Sequence, residues 1–361
     1  MKFWIVLWLG LVGLHQTAEA ALPRNLSDWQ IFDYDPIEQT FKLHKNHSAY
    51  QLKATLFTDR ASKFRTVMIP KGAEIEIVDG EMRYPVGTVI SKTFSYPATM
   101  LEEPSETLSG PWGVDHKVVE TRILVHEPQG WIALPYLWNA ASKDAKLKVT
   151  GQRVPLSFKE YGPLTYIVPN KNQCAGCHVK YDEFAKDIMP IGPTQPGNMD
   201  RNLELYLATH ADDYGQNQLA LFQKKGWLTQ IQRDSFQRWV DPFDQDQSLD
   251  ERARSYLAIN CAHCHAPDGP ASTSGLYLGL TTPEGPSLGI CKIPVAAGRG
   301  SGGRPFNIVP GDPDQSILLF RMESQESDIQ MPELGRGLVD TDALGLVSDW
   351  ITSLTPGVCS P

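Results

Sequence analysis

Two copies of one short motif are the residues whose types and spacing point most clearly to chemistry. The pattern is Cys-x-x-Cys-His, and it occurs as CAGCH at 174–178 and as CAHCH at 261–265. Thiols spaced in this way match the two vinyl groups of a haem, and the adjoining histidine is placed to bind the iron. The motifs therefore predict two covalently bound haem c groups, held by Cys174, Cys177, His178, Cys261, Cys264 and His265.

The alternative chemistries for these four cysteines are a structural zinc ion and two redox-active CxxC pairs. Zinc modules usually separate their two cysteine pairs by about 15 to 20 residues. Here 83 residues lie between Cys177 and Cys261. Zinc also does not require a histidine after both pairs. The spacing thus favours haem over the metal and disulfide alternatives.

The remaining cysteines are Cys291 and Cys359, since four of the six belong to the motifs. An even remainder in an oxidising compartment indicates a disulfide. The alternative is two free buried thiols. A bond between them would tie the segment after the second motif to the C-terminal tail.

Axial ligands opposite the two histidines are the least determined part of the site. For the second haem we predict Met331, which lies 66 residues after His265. The other candidate is Met322, but it lies in a run with helical periodicity, which indicates that Met322 is a packing residue. For the first haem we consider Met189, which also precedes a proline, or an open site. Two protein ligands favour electron transfer, whereas an open position admits a small substrate. Further candidates at the first haem are Met199, His116, His126 and His210.

The second motif lies between two predicted helices. Ser248 and Glu251 form a capping box before an apolar run at 249–257, and a second amphipathic pattern extends over 343–354 after a cap at Thr341. The order of helix, CxxCH, long loop, Met-Pro and terminal helix resembles a class I cytochrome c. That resemblance implies an all-α haem domain over residues 246–361.

Strand patterns dominate the chain before the first motif. Alternation at 73–77 and β-rich runs at 89–96, 118–125 and 131–138 are separated by turn residues. These patterns predict a β-sandwich or barrel-like domain. The fold class is therefore α+β, with this domain followed by the all-α class I cytochrome c domain. Residues 84–92 also resemble a strand of the cytochrome P460 β-fold, in which Lys92 would approach the first haem. The alternative is that Lys92 is an exposed strand lysine.

The N-terminus resembles a secretory signal, with Lys2, an apolar stretch at 3–14 and a small-residue cleavage site at 18–20. An uncleaved anchor is the alternative, but the apolar stretch is short for a bilayer span. The predicted domains are thus 1–20 as signal peptide, 21–245 with the first motif and 246–361 with the second. The mature chain, with no transmembrane segment, would be periplasmic.

Charge limits the classes of partner. The net charge of −9 argues against nucleic acid, whose binding depends on neutralising phosphates with basic residues. It is compatible with a basic redox partner protein. Oligomeric state is not fixed by the sequence.

The order of the motifs as a whole resembles an uncharacterised bacterial family of exported proteins with two CxxCH motifs. The residues that carry this resemblance are 120–122, 172–174, 190–193 and 331–336. It implies a di-haem c-type cytochrome that carries single electrons between redox partners. The alternative is a haem oxidoreductase with an open catalytic iron at the first haem, acting on peroxide or a nitrogen oxide and supplied with electrons by the second haem. We favour electron transfer and assign no catalytic residue.

Overall fold

The computed structural model of the protein describes residues 22–181, 186–204, 213–229, 231–355 and 359. The predicted signal peptide at 1–20 lies outside these residues, as does the candidate ligand His210. Within the described ranges, no helix is long and apolar enough to cross a membrane.

Strands occupy most of the first half of the described chain, and helices become frequent only after it. The strands are β1 (Phe32–Asp35), β2 (Thr40–Leu43), β3 (Ser48–Ala49), β4 (Ser62–Met68), β5 (Glu76–Val78), β6 (Glu81–Arg83), β7 (Val89–Pro97), β8 (Leu108–Gly110), β9 (Gly113–Glu127), β10 (Gly130–Asn139), β11 (Asp144–Leu147), β12 (Gln152–Phe158), β13 (Gly162–Val168), β14 (Val179–Tyr181) and β15 (Lys186–Ile188). The α-helices are α1 (Lys171–His178), α2 (Pro196–Met199), α3 (Gln218–Lys224), α4 (Leu249–Asn260), α5 (Ile317–Glu323) and α6 (Thr341–Ser353).

One sheet of nine strands organises the N-terminal part, and its central strand is β9. The order is β1-β2-β8-β9-β7-β4-β3, with β10 pairing with β9 and then β11. All pairs are antiparallel except β2 and β8, so the sheet is mixed and forms a half-barrel. The hairpins β12–β13, β14–β15 and β5–β6 are separate two-stranded sheets.

Three predicted strand runs lie within this sheet. The runs 89–96, 118–125 and 131–138 lie in β7, β9 and β10, which pair side by side. Alternation along these strands gives the sheet two different faces. One face contributes to a core that contains Phe64, Ile123 and Trp138. The other face lies over the site described below.

Helices α4, α5 and α6 pack around a separate apolar core in the C-terminal part. Its buried members include Leu257, Met322 and Trp350. The Ser248 side chain accepts a hydrogen bond from Glu251 N and begins α4 as the sequence predicts. Helix α6 is capped by Asp340, which accepts from Ala343 N, and not by Thr341. A carboxylate one residue earlier reaches the exposed amides of the first turn.

The predicted fold class is wrong. No all-α domain is found in the described residues after 246, because three α-helices are joined by long irregular segments. Glycine and proline recur throughout 261–316, so only short 3-10 turns form there. The β-sandwich or barrel prediction is also wrong, since the N-terminal strands form one mixed half-barrel sheet. Alternation identifies a strand without specifying its partner. The domain boundary at 245/246 stays a prediction.

Contacts distant in sequence hold the C-terminal part against the segment that precedes β4. The side-chain oxygen of Asn260 accepts a hydrogen bond from Phe57 N at 2.7 Å, next to the second motif. Asp59 Oδ1 accepts from Gly337 N at 2.7 Å and from Leu338 N at 2.8 Å. These bonds place the end of α4 and the segment after Met331 beside the same part of the sheet.

Candidate functional site

The first motif forms the short helix α1. Asn170 accepts a hydrogen bond from Gln173 N at 2.9 Å, and the Gln173 side chain accepts from Asn170 N at 3.0 Å. This reciprocal capping box fixes the start of a helix that would be marginal alone. Cys174 and Cys177, three residues apart, therefore lie on one side of the helix. Cys174 is buried and Cys177 is half-buried.

His178 ends α1, and its ring is oriented by the hairpin that follows. Its Nδ1 donates to the carbonyl oxygen of Met189 at 2.8 Å, and Met189 N donates to the His178 carbonyl at 2.8 Å. Burial, followed by the nearby Lys92, lowers the pKa of His178 to about 3, so the ring is neutral. A neutral imidazole whose Nδ1 is occupied by a carbonyl presents Nε2 for an iron or another metal.

Met189 contacts His178 through its backbone, and its sulfur as an iron ligand stays a prediction. Its backbone lies beside His178, whereas a sixth ligand must approach the iron from the opposite face. The Met189 side chain packs against a buried cluster that includes Tyr50 and Leu52. This geometry supports a positioning role for the Met189 carbonyl and gives no support to a bond from its sulfur to iron.

The second motif follows the C-terminal end of α4 as a tight turn. His265 N donates to Cys261 O at 2.9 Å, and Cys264 N donates to the same oxygen at 3.1 Å. Burial lowers the pKa of His265, while a hydrogen bond to the Leu276 backbone opposes this shift. The His265 Nδ1 lies 3.5 Å from Ser274 Oγ, so this ring has a longer and different contact from that of His178.

A glycine is required behind the second motif. A Cβ at Gly269 would lie 2.3 Å from the carbonyl oxygen of Cys264. Only a residue without a side chain therefore allows the loop to pass so close to the motif. This contact fixes the backbone of Cys264, the second predicted attachment point.

The two motifs line adjoining cavities. The first cavity, of about 1430 Å³ including its open mouth, is lined by Cys174, Cys177 and His178. The second, of about 820 Å³, is lined by Cys177 and His178 together with Cys261. Cys177 and Cys261, which are 84 positions apart in sequence, therefore border the same space.

Two methionines line the second cavity. Met322 is 7% exposed and belongs to the core formed by α4, α5 and α6. Met331 is half-buried in an irregular segment, and its N–H donates to Arg321 O at 2.8 Å. Both border the space next to Cys261. The preference for Met331 rests on the packing role of Met322 and stays a prediction.

The other candidate ligands for the first haem have contacts of their own. Met199 is completely buried in a core cluster. His116 Nδ1 lies 2.9 Å from Ser95 Oγ. His126 stacks on Trp131 at 4.6 Å between ring centroids. Of the described residues that line the first cavity, His178 is the only histidine, and none is a methionine.

Three basic residues form a row across the sheet where it borders the first cavity. In the register of the strands, Arg65 on β4 is opposite Lys92 on β7, and Lys92 is opposite Arg122 on β9. All three line the cavity. We call these residues the basic row. Burial, with Arg122 and Arg65 nearby, lowers the pKa of Lys92 to about 7. The alternative of an exposed lysine at position 92 is therefore wrong.

One buried carboxylate lies behind the basic row. Glu120 is inaccessible to solvent, and its Oε1 accepts from Arg122 Nε at 2.8 Å and from the Tyr166 hydroxyl at 2.6 Å. Glu120 Oε2 has no hydrogen-bond partner among the described residues. The sequence analysis missed Arg65, Glu120 and Tyr166 as site residues. Their signal was the presence of charged residues within otherwise buried strands.

The disulfide prediction is confirmed, because Cys291 and Cys359 are bonded. The four motif cysteines are all free thiols. Within the described ranges, no three His, Cys, Asp or Glu side chains form a group that would hold a metal ion. The bond joins the segment after the second motif to the tail, as the cysteine count predicts.

The residues of the first site fit a covalent haem. Paired free thiols lie on one side of α1, a neutral histidine presents Nε2, and a large cavity adjoins them. The second motif also supplies two free thiols and a histidine, but of these donors only Cys261 lines one of the two cavities. The function must be inferred from this geometry, because the chain matches no family model, no curated protein and no solved structure.

Proposed function

We propose that the protein is a c-type cytochrome with two covalent haems that carries single electrons between redox partners. The observation that supports it most is that Cys177 and His178 of the first motif line the same cavity as Cys261 of the second. A chance pair of motifs in a chain of 361 residues would have no reason to meet. Neighbouring sites favour a relay over two independent centres.

The residues that would hold the haems have defined roles. Cys174 and Cys177 would form thioethers at the first site, and His178 would bind the iron through Nε2. The corresponding second set is Cys261, Cys264 and His265. When bound, each haem would supply a one-electron redox centre. The protein supplies the neutral imidazole of His178, fixed by the Met189 carbonyl, and a buried His265 whose pKa is lowered by that burial.

Two further features support an exported electron carrier. The Cys291–Cys359 disulfide is typical of oxidising compartments such as the periplasm. A net charge of −9 favours a basic partner protein over nucleic acid. The predicted signal peptide agrees with this location. We therefore propose a periplasmic protein that docks with basic redox partners.

A redox titration of the purified protein tests this function. We expect two one-electron steps in the haem absorption spectrum. Replacing Cys261 and Cys264 by alanine should remove one step, and replacing Cys174 and Cys177 should remove the other. A protein without haem absorption, or with a single step that survives both double replacements, would contradict the proposal.

A second candidate function is an enzyme whose first iron has an open position. The described lining of the first cavity offers no second histidine and no methionine, which favours an open site. Cyanide added to the oxidised protein distinguishes the candidates. Rapid binding at the haem held by Cys174 and Cys177 would favour the enzyme. Slow binding at both haems would favour a pure electron carrier.

A further inference from the structure

We propose that the basic row of Arg65, Lys92 and Arg122 binds an anionic oxygen-bearing group, a carboxylate or a small oxyanion, within the first cavity. The proposal deepens the proposed function by naming the class of ligand that this cavity accepts. The proposal rests on the proposed function in one respect, namely that the same cavity would also receive the first haem.

The register of the sheet supplies the first argument. Arg65, Lys92 and Arg122 are directly opposite one another on three neighbouring strands, so their side chains leave the same face. Residues opposed in this way have Cβ atoms about 4.5 to 5.5 Å apart, and like charges there destabilise a sheet. Glu120 compensates Arg122, and an anion bound beside Lys92 would compensate the rest of the row.

Of the acids near the row, Glu120 pairs with Arg122, and Asp59 is held by the backbone. Glu120 Oε1 accepts from Arg122 and Tyr166 on the same face of β9, which leaves Lys92 without this carboxylate. On the opposite wall, Asp59 Oδ1 accepts two backbone N–H groups. Glu333 also lines the cavity, and it interacts electrostatically with Arg321. These arrangements leave the face of the basic row directed at the cavity.

Lys92 is the member of the row most available to a ligand. Its Nζ has no hydrogen-bond partner among the described residues and lies 5.4 Å from the centroid of the Phe94 ring. It lines both cavities, beside Cys177 and His178. An ammonium in this position can donate up to three hydrogen bonds to an anion.

The proposed anion would share its cavity with the first motif. The floor of this cavity also includes the apolar residues Ile90, Leu124 and Ala133. The other charged residues of the lining are Asp59, Glu333 and Arg336. Two sources have the required chemistry, namely a free oxyanion that enters from solvent and the carboxylates carried by the haem itself.

Nitrite is the probe that tests the proposal. Binding to the oxidised holoprotein is measured by calorimetry and by the optical spectrum at fixed ionic strength. The test variant is Lys92→Met, and the matched control is Lys71→Met, because Lys71 is exposed on a loop away from the cavity. We expect the dissociation constant to rise by about tenfold or more in Lys92→Met, as for loss of a hydrogen bond to a charged group. The control should leave it unchanged.

The resonance Raman propionate-bending bands distinguish the two sources. If wild-type protein does not bind nitrite but these bands shift in Lys92→Met and not in Lys71→Met, the row holds the haem carboxylates. Equal nitrite binding in wild type and Lys92→Met, or no binding with unchanged bands, overturns the proposal. Lys92→Gln replaces Lys92→Met if the latter does not fold.

Haem content is measured on the same samples. If the protein holds two haems per chain and Lys92→Met changes neither nitrite binding nor the propionate bands, the anion site is overturned. The electron-transfer proposal then stays intact. Samples without haem would refute the electron-transfer proposal, and nitrite calorimetry on them would still report on the basic row.

Discussion

At the scale of single residues, the strongest features of the site are the hydrogen bonds that orient its histidines. His178 Nδ1 donates to a backbone carbonyl that the sequence analysis had considered only as part of a ligand, Met189. Such a bond fixes both the tautomer and the ring orientation. The CxxCH motif indicates which histidine would bind the iron. The backbone carbonyl that orients this histidine comes from a segment that only folding brings next to it.

Met331→Ala tests the axial ligand of the second haem. We expect both haems to remain attached, because the thioethers and His265 are untouched. The oxidised spectrum should lose its sulfur-to-iron band. The potential should fall by roughly 0.1 V or more within the ~0.8 V range set by axial ligands, since a thioether favours reduced iron.

Met322→Ala is the matched control for that experiment. Met322 is a core residue, so its loss should lower the free energy of unfolding by about 2 to 5 kcal/mol and leave the band in place. Loss of the band in Met322→Ala, with retention in Met331→Ala, would reverse the ligand assignment.

His47 predicts a loss of stability in mild acid. The residue is 2% exposed, and burial, followed by the nearby His44, lowers its pKa to about 4. In the unfolded chain the pKa returns to about 6.5. Between these values only the unfolded state binds the proton, so stability is complete above pH 6.5 and falls as the pH decreases towards 4. The loss should approach about 3 kcal/mol.

Urea unfolding at pH 7.5 and pH 4.5 measures this effect. The variant His47→Gln should show a smaller decrease between the two pH values than the wild type. An identical decrease in both proteins would show that His47 does not titrate on unfolding.

At the scale of elements, some of the structure was predictable and some was not. The capping box of Ser248 and Glu251 and the alternation in β7, β9 and β10 are local signals, and the elements occur where they indicate. The basic row depends on β4 and β9 pairing with opposite edges of β7. Such register is long-range, so periodicity within one strand did not reveal that Arg65, Lys92 and Arg122 meet.

The segment after the second motif shows the same limit. Its two flanking helices were predicted correctly, but an all-α domain also requires the intervening chain to be helical. Glycine and proline at 261–316 prevent this. A disulfide and short 3-10 turns hold that segment instead. The order of motifs matches that of a class I cytochrome c, and an all-α fold was predicted from it. The glycine and proline content of the intervening segment does not support that fold.

Removing the disulfide should reduce stability. Replacement of both Cys291 and Cys359 by serine frees a loop closed over a sequence separation of 68 residues. From the entropy of the unfolded chain, we expect a loss of about 4 kcal/mol. Urea unfolding without reductant measures it. A reductant added to the wild type should reproduce the loss, and a midpoint unchanged in both cases would contradict this account.

At the scale of the whole molecule, folding brings together two motifs that are distant in sequence. The contacts of Asn260 with Phe57 and of Asp59 with 337–338 hold the C-terminal part next to the sheet. Cys177 and His178 consequently border the cavity of Cys261. The two motifs predicted the cofactor, whereas their proximity is a property of the folded chain alone.

The intact mass of the exported protein after acid–acetone extraction tests the central claim most directly. Acid–acetone removes a haem that is not covalently bound, so only thioether-linked haem remains. We predict a mass equal to the polypeptide from Ala21 plus two haems, and one haem fewer when Cys174 and Cys177 are both replaced by alanine. A mass equal to the polypeptide alone, or zinc in place of haem, would contradict the account.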